Sequence, residues 1–232
     1  MTITNKILIV KTGTTDPPVV QTFGDYDDWF QRCLSNHRFE FHIVKVFEGE
    51  LIPDIQEFDG VMITGSPSSV WENEPWMQVT IEWLKVRIQE QDIPILAVCF
   101  GHQLLGAALG GIVESNKQGP EFGTVEVRLS EYGVNDPLFD GMPSIIEVQS
   151  VHKDIVAGVP IYEGVVCLRS TDNTSLQALS VGDQIRSVQF HPEIVEPVLS
   201  QLLRGRGIEA EVFTSPHGLQ ILNNWVRHWI LP

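Results

Sequence analysis

Cys99 stands where an apolar run, Ile93 to Val98, stops and a helix-forming stretch, His102 to Leu109, begins almost at once. A strand that turns sharply into a helix lifts the residue at the turn out of the sheet and aims it at the helix's amide end. This is a nucleophile elbow with sulfur in place of oxygen. Ala97 and Gly101, two residues to either side, are small where such a turn has no room for bulk. A free thiol of pKa near 8.5 is about 3% ionised at pH 7, and a helix N-terminus or a nearby cation raises that fraction. A cysteine nucleophile also needs a base, and the base needs a group that orients it. Phe190-His191-Pro192-Glu193, after the apolar run Ile185 to Phe190, offers both. His191 would take the thiol proton and later give it to a leaving amine, since imidazole titrates near neutrality. Glu193 would lie on the same side of an extended segment and hold the other ring nitrogen. Pro192 would fix the backbone between them.

Each residue has a plainer reading. A lone cysteine is more often a buried structural one, and His-x-Glu alone can be a surface pair or a metal fragment. A metal would need a third convergent ligand, and no motif supplies one. The elbow and the His-Pro-Glu segment together favour chemistry at Cys99. Cys33 and Cys167 lack such a context and are expected in the core.

The elements that must position these residues alternate along the first half of the chain. Strands are expected at Lys6–Val10, Phe39–Phe47, Gly60–Thr64 and 93–98. Helices are expected at Asp25–Ser35, Asn73–Gln91 and 102–109. Trp29, Phe30, Cys33 and Leu34 give the first helix an apolar side, Asp25, Asp27 and Asp28 suit its positive end, and Glu74-Pro75 suits the first turn of the second. Glu74, Glu82 and Glu90 read as solvated helix faces, and Trp71, Trp76 and Trp83 as core or interface. This βαβ rhythm implies a parallel sheet covered on both faces, with ligands at the carboxyl ends of the strands. Thr64/Gly65 and Cys99 both fall at such ends. From Ile112 to Phe190 the pattern changes to short strands at Gly123–Leu129, Ser144–Ser150, Val165–Ser170, Ser175–Val181 and Gln184–Phe190, with a hairpin turn at Val181-Gly182-Asp183-Gln184. Ile194–Arg204 and Ile208–Ile230 read as helical, the latter interrupted near Ser215-Pro216.

Cys99-Phe100-Gly101-His102-Gln103 with a distant Phe190-His191-Pro192-Glu193 resembles the class I, triad-type glutamine amidotransferases. The closer likeness is to stand-alone members related to the glutaminase part of GMP synthase and to plant γ-glutamyl peptidases. Four segments carry it: Phe23 to Asp28, Ile63 to Val70, Leu105 to Gly111 with Lys117-Gln118-Gly119, and His152-Lys153-Asp154. The likeness runs from about residue 6 to residue 195. It departs in two places. Ala97 replaces a glycine often found two before the cysteine, and nothing beyond Glu196, including Arg204-Gly205-Arg206-Gly207 and the Trp225–Trp229 stretch, matches a motif of the family.

The resemblance implies a flavodoxin-like three-layer α/β/α fold with a mostly parallel central sheet and a small additional antiparallel strand region. It implies a Cys99–His191–Glu193 triad and an oxyanion hole from the amides of Gly65 and Phe100. Gln103 would hold the substrate's α-amino or α-carboxylate end, and His152, with Val151 and Asp154, would close over the glutamyl moiety. The plainer readings are a solvent-facing helix glutamine for Gln103 and a surface loop residue for His152. The activity implied is hydrolysis of the glutamine side-chain amide through a cysteinyl γ-glutamyl thioester, without metal or organic cofactor. Ammonia would then pass to a separate synthetase subunit, since no P-loop or second catalytic domain is visible here. Two alternatives stand beside it: a γ-glutamyl peptidase or hydrolase using the same thioester, and a non-catalytic regulatory or binding subunit that keeps the fold.

Composition sets outer limits. The 232 residues, 43% hydrophobic, suffice for one large core, and the chain reads as a single domain with a C-terminal helical extension from about residue 205. That extension would cover the pocket, pack on the body or form a homodimer. No apolar stretch reaches the length of a membrane span, and no signal segment is evident. With 15 basic and 30 acidic residues the net charge is −15, which disfavours nucleic acid and anionic membrane as partners. Three widely spaced cysteines suit a reducing cytoplasm rather than a disulfide framework.

Overall fold

Runs such as Ile7 to Val10 and Ile95 to Val98 are apolar at every position, and strands of that kind need cover on both faces. The computed structural model describes residues 4–160, 165–170 (main chain only), 174 and 176–231. In chain order the elements are β1 (Asn5–Lys11), α1 (Pro17–Phe23), α2 (Tyr26–Cys33), β2 (Phe39–Lys45), β3 (Gly60–Ile63), α3 (Pro75–Glu90), β4 (Ile95–Val98) and α4 (Phe100–Ala108). They continue with β5 (Ile112–Ser115), β6 (Glu121–Leu129), α5 (Glu131–Asn135), β7 (Ile145–His152), β8 (Asp154–Gly158) and β9 (Val165–Ser170). β10 (Ala178–Val181), β11 (Ile185–Val188), α6 (Glu196–Gly205) and α7 (His217–Trp225) complete the chain, α7 running on into a π-helical turn at Val226–Ile230.

Among the described residues the main sheet has nine strands in the order β2-β1-β3-β4-β11-β10-β9-β6-β7. The first five are parallel and the last four pair antiparallel. A small antiparallel pair, β5 with β8, stands apart. Successive residues of β1 divide between two cores: Ile7 and Ile9 pack with α2 and α7, while Leu8 and Val10 pack with α3 and α4. The architecture is thus the three-layer α/β/α arrangement with a mostly parallel sheet.

Most expected elements appear within a few residues of their expected bounds, and the Gly182 turn adopts the positive φ (57°) of a tight hairpin. Three were not foreseen: α1, α5 and the β5–β8 pair, all short and without a clear apolar period. One expectation is corrected. Residues 208–215 are not helical and form no regular element, because their main chain bonds to β6: Thr124 N–H donates to the Glu211 carbonyl (2.8 Å), and Phe213 N–H to Thr124 Oγ1 (2.9 Å). Gly123, at φ 102°, gives this segment room, since a Cβ there would strike the Glu211 carbonyl. The extension then packs on the body, where Trp225 and Ile230 lie against β3 at Gly60. Trp76 and Trp83 are half-buried, whereas Trp71 is 64% exposed. The Cys167 side chain and Ser175, both named in the sequence reading, lie outside the described residues.

Candidate active site

The strand order does the first part of the assembly. β4 lies between β3 and β11, so the segments that leave their carboxyl ends are neighbours although 92 residues separate Cys99 from His191. Gly65 follows β3, Cys99 follows β4, and His191 follows β11.

Cys99 occupies the corner between β4 and α4 with φ 52° and ψ −101°. A non-glycine residue held there stores strain on the order of 1–3 kcal/mol, which persists only where the surroundings over-determine it. They do: the Cys99 amide bonds to the Val188 carbonyl (2.8 Å), and Gly101 donates to the Thr64 carbonyl (3.2 Å). A Cβ on Gly101 would sit 2.9 Å from the Ile63 carbonyl oxygen, which explains the small residue after the cysteine. Ala97 is wholly buried between Ile63 and Ser187.

His191 is buried, and its Nδ1 lies 2.7 Å from Oε1 of the equally buried Glu193. Its amide donates to the Gln149 carbonyl of β7 (2.8 Å), and its ring stacks on Tyr26 at 6.3 Å between centroids. Burial opposes the imidazolium, but negative charge on the Cys99 sulfur and on the Glu193 carboxylate, the latter hydrogen-bonded to the ring, outweighs it and raises the His191 pKa. Tyr26, stacked on the His191 ring, has its phenol pushed upward by burial and by the Cys99 charge.

Opposite this pair, the Gly65 carbonyl accepts from Thr12 Oγ1 and Thr64 Oγ1, both at 2.9 Å. No peptide of the described chain is cis, so the other half of that unit, the Ser66 N–H, points the opposite way. Gly65 itself must lack a Cβ, which would come within 2.8 Å of His191 Cε1. Phe100 opens α4, where the first amides have no intrahelical acceptor.

A cavity of about 270 Å³ opens over Cys99. Gln103, Val151 and His152 line it; so do Ser66, Lys153 and Arg206, which the sequence reading did not single out. Gln103 is buried rather than solvent-facing, its Nε2 donating to the Asp154 carbonyl (2.9 Å). His152 is not in a surface loop either. It ends β7 opposite Glu121, and its Nε2 lies 3.0 Å from Glu121 Oε2. Asp154 ties the rim together, accepting from Ser69, from Ser115 (2.8 Å) and from the Trp71 indole (3.3 Å). Arg206 forms a two-pronged pair with Asp16 (2.8 and 3.0 Å) at the cavity wall. Its only sequence signal was an unassigned Arg-Gly-Arg-Gly. Among the described residues no group of three His, Cys, Asp or Glu side chains is placed to hold a metal, and no helix is long and apolar enough to cross a membrane.

Residues 19–206 match the family model described as glutamine amidotransferase class-I. The chain belongs to the class I glutamine amidotransferase family. Within it, a glutamine amidotransferase-like protein of Schizosaccharomyces pombe is 30% identical over 224 residues, covering 90% of this chain and 86% of its own. The glutamine-hydrolysing GMP synthase of Clostridium novyi is 30% identical over 191 residues, 81% of this chain but 34% of the synthase. The chain therefore spans about a third of that relative's length. Gamma-glutamyl peptidase 4 of Arabidopsis thaliana is 24% identical over 187 residues, covering 79% of this chain and 73% of the peptidase. A solved glutamine amidotransferase from Methylobacillus flagellatus shares the fold with a TM-score of 0.76 at 17% identity, covering 98% of this chain and 96% of its own.

Proposed function

We propose that this amidotransferase hydrolyses the side-chain amide of glutamine through a γ-glutamyl thioester on Cys99. The observation that carries the reading is the strained corner that presents Cys99 to an imidazole braced by a buried carboxylate. The Cys99 thiolate adds to the γ-carbonyl carbon. The oxyanion is received by the Phe100 amide and by the Gly65–Ser66 loop, where the Ser66 amide is the better aimed donor. His191, held by Glu193, protonates the departing nitrogen, the C–N bond breaks, and ammonia leaves. His191 then takes a proton from water as its oxygen adds to the thioester carbon; the C–S bond breaks and glutamate departs. Gln103 presents its carbonyl oxygen to the substrate's α-ammonium, because its NH₂ already faces the Asp154 carbonyl. Val151 and His152 close the cavity over the glutamyl chain. A separate synthetase subunit would consume the ammonia, in keeping with the synthase relatives.

One observation favours a second reading, a γ-glutamyl peptidase. Lys153 lines the cavity of a chain whose net charge is −15, beside an Arg206 already paired with Asp16, which suits a substrate with a further carboxylate beyond the scissile bond. Both readings share the thioester. Glutamate release is therefore to be assayed from glutamine and from γ-glutamyl dipeptides, with mass detection of Cys99 modified by a glutamine-analogue electrophile. Glutamate and ammonia from glutamine support the first reading, and turnover of dipeptides alone supports the second. A Cys99 inert to the electrophile would sink both and leave a non-catalytic subunit.

A further inference from the structure

Gln189 leaves β11 two residues before His191 and is wholly buried. Its Nε2 lies 3.7 Å from Cys99 Sγ, within reach of an N–H···S hydrogen bond. Its Oε1 lies 3.4 Å from Gln103 Nε2, and that same Nε2 donates to the Asp154 carbonyl at 2.9 Å. A side-chain amide fits its space almost equally well with oxygen and nitrogen exchanged, so its partners decide which way it lies. Here the first partner in the row is a main-chain carbonyl, which can only accept. Gln103 must turn its NH₂ toward β8, and so offers a donor to Gln189. Gln189 must answer with its oxygen, which leaves its NH₂ facing the sulfur. One carbonyl thus fixes the direction of every donor between β8 and Cys99.

We propose that Gln189 is a catalytic residue whose side-chain N–H stabilises the Cys99 thiolate, in a direction imposed by Gln103 and Asp154. The inference rests on Cys99 being the nucleophile. A thiolate accepts hydrogen bonds strongly and a thioester sulfur weakly, so the contact favours the sulfur whenever it is anionic. That holds before attack and again when the C–S bond breaks in the second half of the cycle. Hydrogen bonds to ionised groups are the strong class.

The test compares the wild type with Gln189→Met, which keeps length and volume but cannot donate, and Gln189→Glu, which places an acceptor against the sulfur. The readout is the rate of Cys99 alkylation by iodoacetamide as a function of pH, with thermal unfolding as the check on folding. Loss of a hydrogen bond to a charged group predicts alkylation slower by about 10- to 100-fold for Gln189→Met below pH 8, approaching the wild-type rate in alkali. Gln189→Glu falls further. A folded Gln189→Met protein with the wild-type rate and pH profile would overturn the proposal alone. A wild-type Cys99 inert to both iodoacetamide and the glutamine-analogue electrophile would overturn it together with the proposed function. Should the variants fail to fold, the Gln189 side-chain amide signal is followed by NMR in the wild type before and after Cys99 is alkylated. A shift supports the hydrogen bond, and an unmoved signal overturns it.

Discussion

The corner at Cys99 and the turn at His191 leave adjacent strands, yet opposite means hold them. The shape of the Cys99 corner is set within a short stretch of sequence, by small residues at positions 97 and 101 and by the helix that begins at the next residue, and Ile63, Thr64 and Val188 on or beside the flanking strands then lock it. His191 is fixed from far away. Its amide is held by β7, its ring lies against Tyr26 of α2, and the Pro192 main chain abuts Gly218 of α7. A nucleophile on a strained corner needs rigidity that its neighbours in sequence can supply. A base that must carry a proton between two partners needs orientation, which takes groups from several directions.

The largest effect is expected where orientation alone is removed. Glu193→Gln retains the size of the side chain but loses the charge that holds His191 Nδ1–H, and the comparable change in other triads lowers kcat by about 10⁴. A fall of roughly 10³- to 10⁴-fold in glutamine hydrolysis is expected, measured as glutamate release. An activity within tenfold of wild type would mean that the turn is oriented by its other contacts and the carboxylate is dispensable. Gly65→Ala tests the point where the two regions meet, since the new methyl would lie 2.8 Å from His191 Cε1 and 3.5 Å from Cys99 Cβ. It should lower kcat by about 10- to 100-fold through a displaced ring and oxyanion loop, with little change in unfolding temperature. A still smaller loss is expected for Gly218→Ala, whose Cβ would press to 2.6 Å from the Pro192 carbonyl oxygen. Overpacking of that kind costs about 1–3 kcal/mol of stability, read by denaturant unfolding, with a few-fold loss of kcat. Full activity with unchanged stability would detach the C-terminal helix from the turn.

The same contrast explains what was legible in the sequence. The corner is written in consecutive residues, so the apolar run, the small flanking positions and the helix that follows point to Cys99 without any long-range information. The His191–Glu193 contact is also local, two residues apart. What surrounds them was not legible. Gln103 and His152 read equally as site or surface residues in the sequence, because their burial depends on β8 and on Glu121 across a strand pair. Arg206 reaches the cavity only because α6 ends beside α1, where Asp16 receives it. Residues 208–215 read as helix because nothing local signals that they bond to β6, a partner more than 80 positions earlier.

The Cys99 side of the site also has a buried titratable anchor, and it yields the mildest prediction. His102 on α4 is wholly buried, its Nδ1 2.8 Å from Ser187 Oγ and its Nε2 3.1 Å from the Leu176 carbonyl. The carbonyl requires a proton on Nε2, so Nδ1 accepts from the serine and the ring is neutral. Burial depresses its pKa from 6.5 to about 3. As pH falls below 6.5 the unfolded chain binds a proton that the folded ring does not, so stability declines with a slope of up to about 1.4 kcal/mol per pH unit. The raised His191 adds no slope here, because below 6.5 it is protonated in both states. Glu121, held below its usual range against burial by His152, Gln177 and Ser150, loses its contribution only below about 4.5. Between pH 6.5 and 4.5 the decline therefore belongs to His102 among these shifted groups. Denaturant unfolding of wild type and His102→Asn across that window should show a sloping curve for the first and a flatter one for the second. Parallel slopes would mean that the α4 ring titrates normally in the folded protein.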